Sequence, residues 1–334
     1  TRLCRDWSSD VCSSDLSELR QVRDDILIRP GVGEDCAAVS FGEMACVLTT
    51  DPITGSGSQL GRLAVHICLN DLASSGAEAV GIMLTLLCPE GTKPQEIQGI
   101  LREANETANQ MGVEIIGGHT EITSAVNRTI VSATAMGKAH QADLVRTAGA
   151  RVGDYIYMTK QVATEGTAII AHDKAEILRE SFSLDEIKLA QSFIEQISVV
   201  KEGLIAAKIG VTAMHDATEG GILGAVHELC EASGVGCRVH KNKIDIHPIT
   251  ERIAIFYGID PLKLISSGTM IITVAPENAS HLEVGLRNEN IPYSRIGIIT
   301  NGQHKCLVWG DSEVDEMIED IQSPDSDELY KVIK

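Results

Sequence analysis

Aromatic side chains are scarce, with 2 Trp, 5 Tyr and 4 Phe making up 3% of the chain. That removes the stacking platform on which single-strand binders hold bases. Positive charge is also short, at 28 Lys and Arg against 47 Asp and Glu, a formal net charge of -19. Recognition of a phosphate backbone needs clustered Lys and Arg, so nucleic acid is excluded as an expected partner. No run of 18 or more apolar residues occurs, so no membrane-spanning helix is expected. The 9 cysteines contain no C-x2-C pair, and no secretory signal precedes them. A zinc site or disulfide framework is therefore not expected. Free thiols imply a reducing, cytoplasmic compartment, and Cys68 and Cys230 read as buried thiols on apolar helical stripes.

What is present is 334 residues, 43% of them hydrophobic, enough for one large domain or two ordinary ones. Residues 1–16, TRLCRDWSSDVCSSDL, show no structural period, and Asp6 to Leu16 resembles a translated sequencing adapter. A natural disordered tail is the alternative, and either way the stretch is set aside from the fold. Without it the chain has 26 basic and 44 acidic residues, net -18, and 7 cysteines.

From Ile26 onward, strand-like and helix-like segments alternate. Leu60, Leu63, Ala64, Ile67 and Cys68 form one helical stripe within Gln59–Ser74. Strands are expected at Val80–Leu87, Val113–Ile116, Thr129–Gly137 and Tyr155–Thr159, with a helix over Lys93–Met111 and a linker over Ala139–Gly153. The second half adds helices over Leu184–Ile197, Val199–Ile209 and Gly221–Ala232, and strands at Val211–Met214, Thr269–Val274, Ile296–Ile299 and Cys306–Trp309. The expected fold class is α+β (α/β) in two domains, over residues 17–147 and 150–310, followed by an acidic helix or tail over 311–334.

Four places carry candidate chemistry. Gly31-Val32-Gly33-Glu34-Asp35 allows a tight backbone path that can face an anion, although a plain turn explains it too. No Lys follows, so it is not a Walker loop. Asp71, after Asn70, falls on the apolar stripe of its helix, where an unpaired carboxylate is costly. It is read as a ligand, with a side-chain cap as the alternative, because Asp51 ends an apolar strand just before that helix. Gly117-Gly118-His119-Thr120-Glu121 follows an apolar strand, and ligands favour the carboxyl ends of strands. A lone histidine is usually structural, so His119 is not taken as a base. Asp216-Ala217-Thr218-Glu219-Gly220-Gly221 opens a helix. Capping explains Asp216 and Thr218, while the paired Gly220 and Gly221 suit an anion site at the helix start.

Taken together, Asp35, Asp51, Asp71 and Glu121 are expected to meet. Two carboxylates 4 Å apart repel by about 4 kcal/mol at an effective dielectric near 20. Such a group is stable around a divalent cation, and hard oxygens suit Mg2+, which in turn brings a nucleotide triphosphate.

GVGEDCAAV (31–39), TTD (49–51), NDLASSGAEAVG (70–81), GGHTEI (117–122) and DATEGGILGAVHELCEASGVG (216–236) together resemble the AIR synthase-related, or PurM-like, superfamily. The similarity runs in order from about residue 26 to about 310 and is nearest to HypE-like members, as is IDPLKLISSGTMIITV (259–274). The resemblance implies an N-terminal ATP-binding domain that dimerises through its sheet, and a C-terminal α/β domain. It implies transfer of the ATP γ-phosphoryl to a carbonyl, amide or similar oxygen, as in hydrogenase maturation, with ATP and Mg2+ as cofactors and a small-molecule or carbamoyl-type second substrate. By motif position, Gly31, Gly33 and Asp35 would form the ATP loop, with Asn70, Gly117 and Gly118 beside the nucleotide. Asp35, Asp51, Asp71 and Glu121 would hold the metal, and Asp71, Glu121 and Asp216 would act in catalysis. Gly220 and Gly221 would contact phosphate. Three departures stand out: the HypE tail Pro-Arg-Ile-Cys is not matched by the last residues, Glu219 replaces an Arg, and Ser267 replaces a Glu. A thiamine-monophosphate-kinase type of small-molecule kinase and a non-catalytic scaffold are the alternatives.

Overall fold

The computed structural model describes residues 21–31, 33–53, 59–310, 317–323 and 326–333. The reading of residues 1–16 lies outside these, as does Val32 within the first glycine motif.

The first sheet contains β1 (Ile26–Ile28), β2 (Ala37–Phe41), β3 (Met44–Ile53), β4 (Glu78–Cys88), β5 (Glu114–Ile122) and β6 (Ile130–His140), in the order β1-β2-β3-β6-β4-β5. Among the described residues of this sheet, only β4 and β5 run parallel. Alternation along β3 buries Ala45, Val47, Thr49 and Ile53 on one face. That face receives helix α1 (Leu60–Ser74), whose expected stripe is fully buried at Leu63, Ala64 and Cys68. Helix α2 (Pro94–Gln110) packs beside α1. The strands also carry exposed large apolar residues, at Phe41, Val80, Met83 and Ile116.

The second sheet has the order β13-β12-β9-β11-β7-β10-β8, formed from β7 (Tyr155–Thr159), β8 (Ala213–Asp216), β9 (Gly236–His240), β10 (Met270–Val274), β11 (Tyr293–Thr300), β12 (Lys305–Trp309) and β13 (Met317–Asp320). It is buried on both faces at β10, whose five residues are all inaccessible. One face packs against α6 (Val200–Ile209) and α9 (Ala279–Asn288), the other against α7 (Gly221–Ser233). A further group, α3 (Thr164–Asp173), α4 (Ala175–Leu178), α5 (Leu184–Ser192) and α8 (Pro248–Tyr257), joins the core of the first sheet. The structure is thus mixed α/β, with two sheets and a shared seam.

Three expectations are corrected. The strand expected to stop at Ile116 continues to Ile122, so Gly117 to Glu121 lie within β5 rather than beyond its end. The strand expected at Val211–Met214 is displaced to Ala213–Asp216, which puts Asp216 in the sheet. The described part of the acidic C-terminal stretch is not a helix over 317–320: those residues pair with β12, while Asp327 and Leu329 are buried. All four residues of this edge strand, Met317 to Asp320, are exposed.

Candidate functional site

The two halves meet where α1 crosses α6. Gly203 lies so close to α1 that a Cβ would stand 2.3 Å from the Ala73 carbonyl oxygen. Asn70, fully buried, donates its amide Nδ2 to the Ile197 carbonyl at 2.8 Å and accepts from the Val199 amide at 2.8 Å. One turn later, Ser74 donates to Asp216 Oδ1 at 2.9 Å. Asn70 was expected beside the nucleotide; instead both ends of its side chain are committed to the second half's backbone, so it ties the seam together.

At this seam the carboxylates collect. Thr49 and Asp51 alternate along β3 onto the α1 face, and Thr49 donates to Asp71 Oδ2 at 2.7 Å and lies 3.5 Å from Asp51 Oδ2. Asp51, Cys68 and Asp71 each offer a ligand atom within 4.8 Å of the others, and so do Asp35, His215 and Asp216. Burial first, then the charges of Asp51, Asp216 and Asp35, hold the Asp71 carboxyl well above the usual carboxylate range. Burial and then Asp35 push Asp216 up to about 7, against the opposing effect of His215. Burial also raises Glu34 to about 6. Asp216 Oδ2 is buried and has no hydrogen-bond partner among the described residues. Beside the Cys68 thiol and the His215 ring, the donors are hard carboxylate oxygens, one of them orphaned, and these oxygens fit a divalent cation such as Mg2+.

Asp35 comes from the loop before β2, where Glu34 donates its amide to the Gly31 carbonyl at 3.2 Å, a tight turn packed against α7. Asp51 and Asp71 fall in one group and Asp35 and Asp216 in the other, and the Asp71 carboxyl is raised by burial and by the charges of the other three.

Glu121 does not join them. In the strand order β3-β6-β4-β5 three strand spacings separate it from Asp51, about 14 Å at 4.8 Å each. It also stands opposite Leu87 in register, on the face away from α1, together with Gly117 and His119. Gly118 is fixed by close approach: its φ is 150°, and a Cβ would lie 2.0 Å from the Leu84 carbonyl oxygen. All of Gly117 to Glu121 is exposed on the sheet's edge strand.

The anion site expected at Gly220 and Gly221 is already occupied by a carboxylate of this chain. Gly220 donates its amide to Asp327 Oδ2 at 2.7 Å, and Asp327 is buried. Gly221 has φ 64°, and a Cβ would meet the Leu262 carbonyl oxygen at 2.6 Å, which is why glycine is required there. Sequence reasoning missed Thr49, Ser74, His215, Glu228 and Asp327. Thr49 could have been found from its i, i+2 spacing to Asp51 and Ser74 from its i, i+4 spacing to Asn70; the others become neighbours only through the tertiary fold.

Residues 33–139 match the family described as AIR synthase related protein, N-terminal domain, and residues 151–310 match AIR synthase related protein, C-terminal domain. A candidate hydrogenase expression/formation protein of Methanocaldococcus jannaschii is 30% identical over 293 residues, covering 84% of each chain. The carbamoyl dehydratase HypE of Rhizobium leguminosarum bv. viciae is 27% identical over 264 residues, 75% of this chain and 71% of the relative. Among solved structures, a HypE–HypF complex superposes with a TM-score of 0.73 at 22% identity, covering 87% of this chain and 93% of that one. HypE in complex with ATP gives 0.69 at 19%, over 89% and 90%. AaThiL complexed with AMPPCP and TMP gives 0.71 at 17%, over 89% and 91%.

Proposed function

As the chain belongs to the AIR synthase related family, close to HypE, we propose that it is an enzyme that uses Mg2+ and ATP to transfer a phosphoryl group to a carbonyl, amide or similar oxygen. The observation that carries this reading is the gathering of Asp35, Asp51, Asp71 and Asp216 at one buried seam, with Asp71 and Asp216 held above the ordinary carboxylate range. Burying like charges together is unfavourable for folding alone, and a divalent cation reverses the sign of their interaction. Similarity to a HypE structure that holds ATP supports the nucleotide.

In this reading Asp35, Asp51, Asp71 and Asp216 would hold Mg2+, which neutralises developing charge on transferring phosphoryl oxygens when bound. Thr49 and Ser74 orient Asp71 and Asp216 by donating to them. The Gly31–Asp35 loop lies against the second half, so nucleotide binding and the seam are coupled. In-line transfer depends mainly on such positioning.

A homodimer completes the arrangement. Glu121 and the Gly117-Gly118 pair stand on an exposed edge strand, and the same sheet exposes Val80, Met83 and Ile116. A second copy packed on that sheet covers these residues and carries its own Glu121 toward a neighbouring site. The domain limits of 17–147 and 150–310 belong to the same proposal.

The second substrate is proposed to be a small molecule or a carbamoyl-type group. Similarity to AaThiL holding a nucleotide analogue and TMP favours the alternative of a small-molecule kinase. Product analysis decides: a kinase accumulates a stable phosphorylated product, whereas a dehydratase releases inorganic phosphate. A scaffold that keeps only the fold would show neither Mg2+-dependent ATP binding nor turnover. Calorimetry with ATP, with and without Mg2+, tests the shared claim.

A further inference from the structure

His215 lies inside β8, the edge strand of the second sheet, and is 2% exposed. Its Nδ1 is 3.0 Å from Asp35 Oδ2, on the loop before β2 of the first sheet, and its Nε2 is 3.0 Å from Glu228 Oε2, on α7. Each ring nitrogen therefore faces a carboxylate oxygen, and the ring bridges the two side chains. A buried ionic bridge of this kind contributes little net stability over an apolar isostere, while losing one partner is costly. Its consequence here is geometric. It spans the two halves of the molecule and fixes one oxygen of Asp35, leaving the other for a cation.

We propose that His215 is the positioning residue of the carboxylate site: by bridging Asp35 and Glu228 it fixes the orientation of the Asp35 carboxylate across the domain seam and thereby sets the affinity for the divalent cation. The proposal rests on the Mg2+-ATP reading above. It differs from a purely packing role because it concerns the ion affinity of the folded protein. A glutamine at position 215 can donate to one carboxylate but cannot bridge two. A glutamine at position 228 leaves the imidazole bonded to Asp35 but removes the charge that anchors it from the α7 side.

The test is a titration of Mn2+, followed by electron paramagnetic resonance, in the full-length protein with a non-hydrolysable ATP analogue. Wild type, His215→Gln and Glu228→Gln are compared, and urea unfolding in EDTA records their stability. His215→Gln is expected to weaken Mn2+ binding by roughly tenfold or more, the loss of one charge-assisted hydrogen bond of about 1.5 kcal/mol or more. Glu228→Gln is expected to weaken it less, by a few-fold. If both variants fold and bind Mn2+ as tightly as wild type, with only their unfolding midpoints lowered, His215 is a packing residue and the proposal is overturned. If His215→Gln does not fold, Glu228→Gln alone decides, and unchanged Mn2+ affinity in it overturns the proposal. Failure of the wild type itself to bind Mn2+ overturns the underlying metal reading instead.

Discussion

Ser74 Oγ donates to Asp216 Oδ1 at 2.9 Å, joining the last turn of α1 in the first half to the end of β8 in the second. Asp71, three residues earlier on α1, faces the same seam and is raised in pKa by Asp216 among others. The bond therefore binds together two halves whose carboxylates repel. The seam resists that repulsion through neutral donors and through backbone contact between α1 and α6.

Asp71→Asn is expected to separate stability from function. Burial and the neighbouring carboxylates favour the neutral form of Asp71, which asparagine mimics without having to bind a proton, so in EDTA at neutral pH the variant should unfold at a higher temperature than wild type. Added Mg2+ and ATP should stabilise wild type and not the variant. Differential scanning calorimetry in both conditions checks this, and a variant that gains as much from Mg2+-ATP as wild type would remove Asp71 from the metal site.

Asn70→Ala is expected to weaken the seam. It leaves the buried Val199 amide and Ile197 carbonyl without their partners, at about 1–3 kcal/mol each. Urea unfolding should show a loss of a few kcal/mol. Retention of wild-type stability would mean that water or another group takes over both bonds.

Glu165 gives a pH test away from the carboxylate group. Burial pushes this residue up to about 8, so it is neutral at physiological pH. A raised folded-state pKa means that the folded protein binds more protons than the unfolded chain between about 4.5 and about 8. Its contribution to stability is complete below about 4.5 and is lost as pH rises through about 8. Glu165→Gln mimics the neutral form. Its stability relative to wild type should therefore grow with pH by up to about 1.4 kcal/mol per unit, then level off above the folded-state value. A pH-independent difference would place the Glu165 shift elsewhere.

Subunit mixing tests the role of Glu121. If a second copy supplies it, Asp71→Asn and Glu121→Gln homodimers should each lose ATP turnover, and mixing them should restore part of it through heterodimers with one intact site. No recovery in a mixture shown by mass spectrometry to contain heterodimers would mean that both residues act within one chain, against the separation across β3, β6, β4 and β5.

Local patterns made the helices legible, above all α1, whose stripe is buried at Leu60, Leu63, Ala64 and Cys68. Local patterns also brought Asp51 and Asp71 into view, because one ends an apolar strand and the other sits on an apolar stripe, while Asp35 stood out through its glycine-rich turn. Partners formed by tertiary contact were invisible. Asn70 looks like a ligand beside Asp71, yet a helix turns neighbours onto different faces, and Asn70 faces the second half. Glu121 lies in a motif next to a strand, but only the strand order places it three strands away and on the other face. Asp327 lies 107 residues from Gly220, and no local pattern links them.

The most direct test of the central claim is the heat of ATP binding to wild type with Mg2+ and with EDTA, beside Asp71→Asn with Mg2+. Saturable binding that requires Mg2+ and is lost or strongly weakened in Asp71→Asn is the predicted result. No ATP binding by wild type, or binding of equal strength in all three titrations, would contradict a metal-nucleotide site at Asp35, Asp51, Asp71 and Asp216.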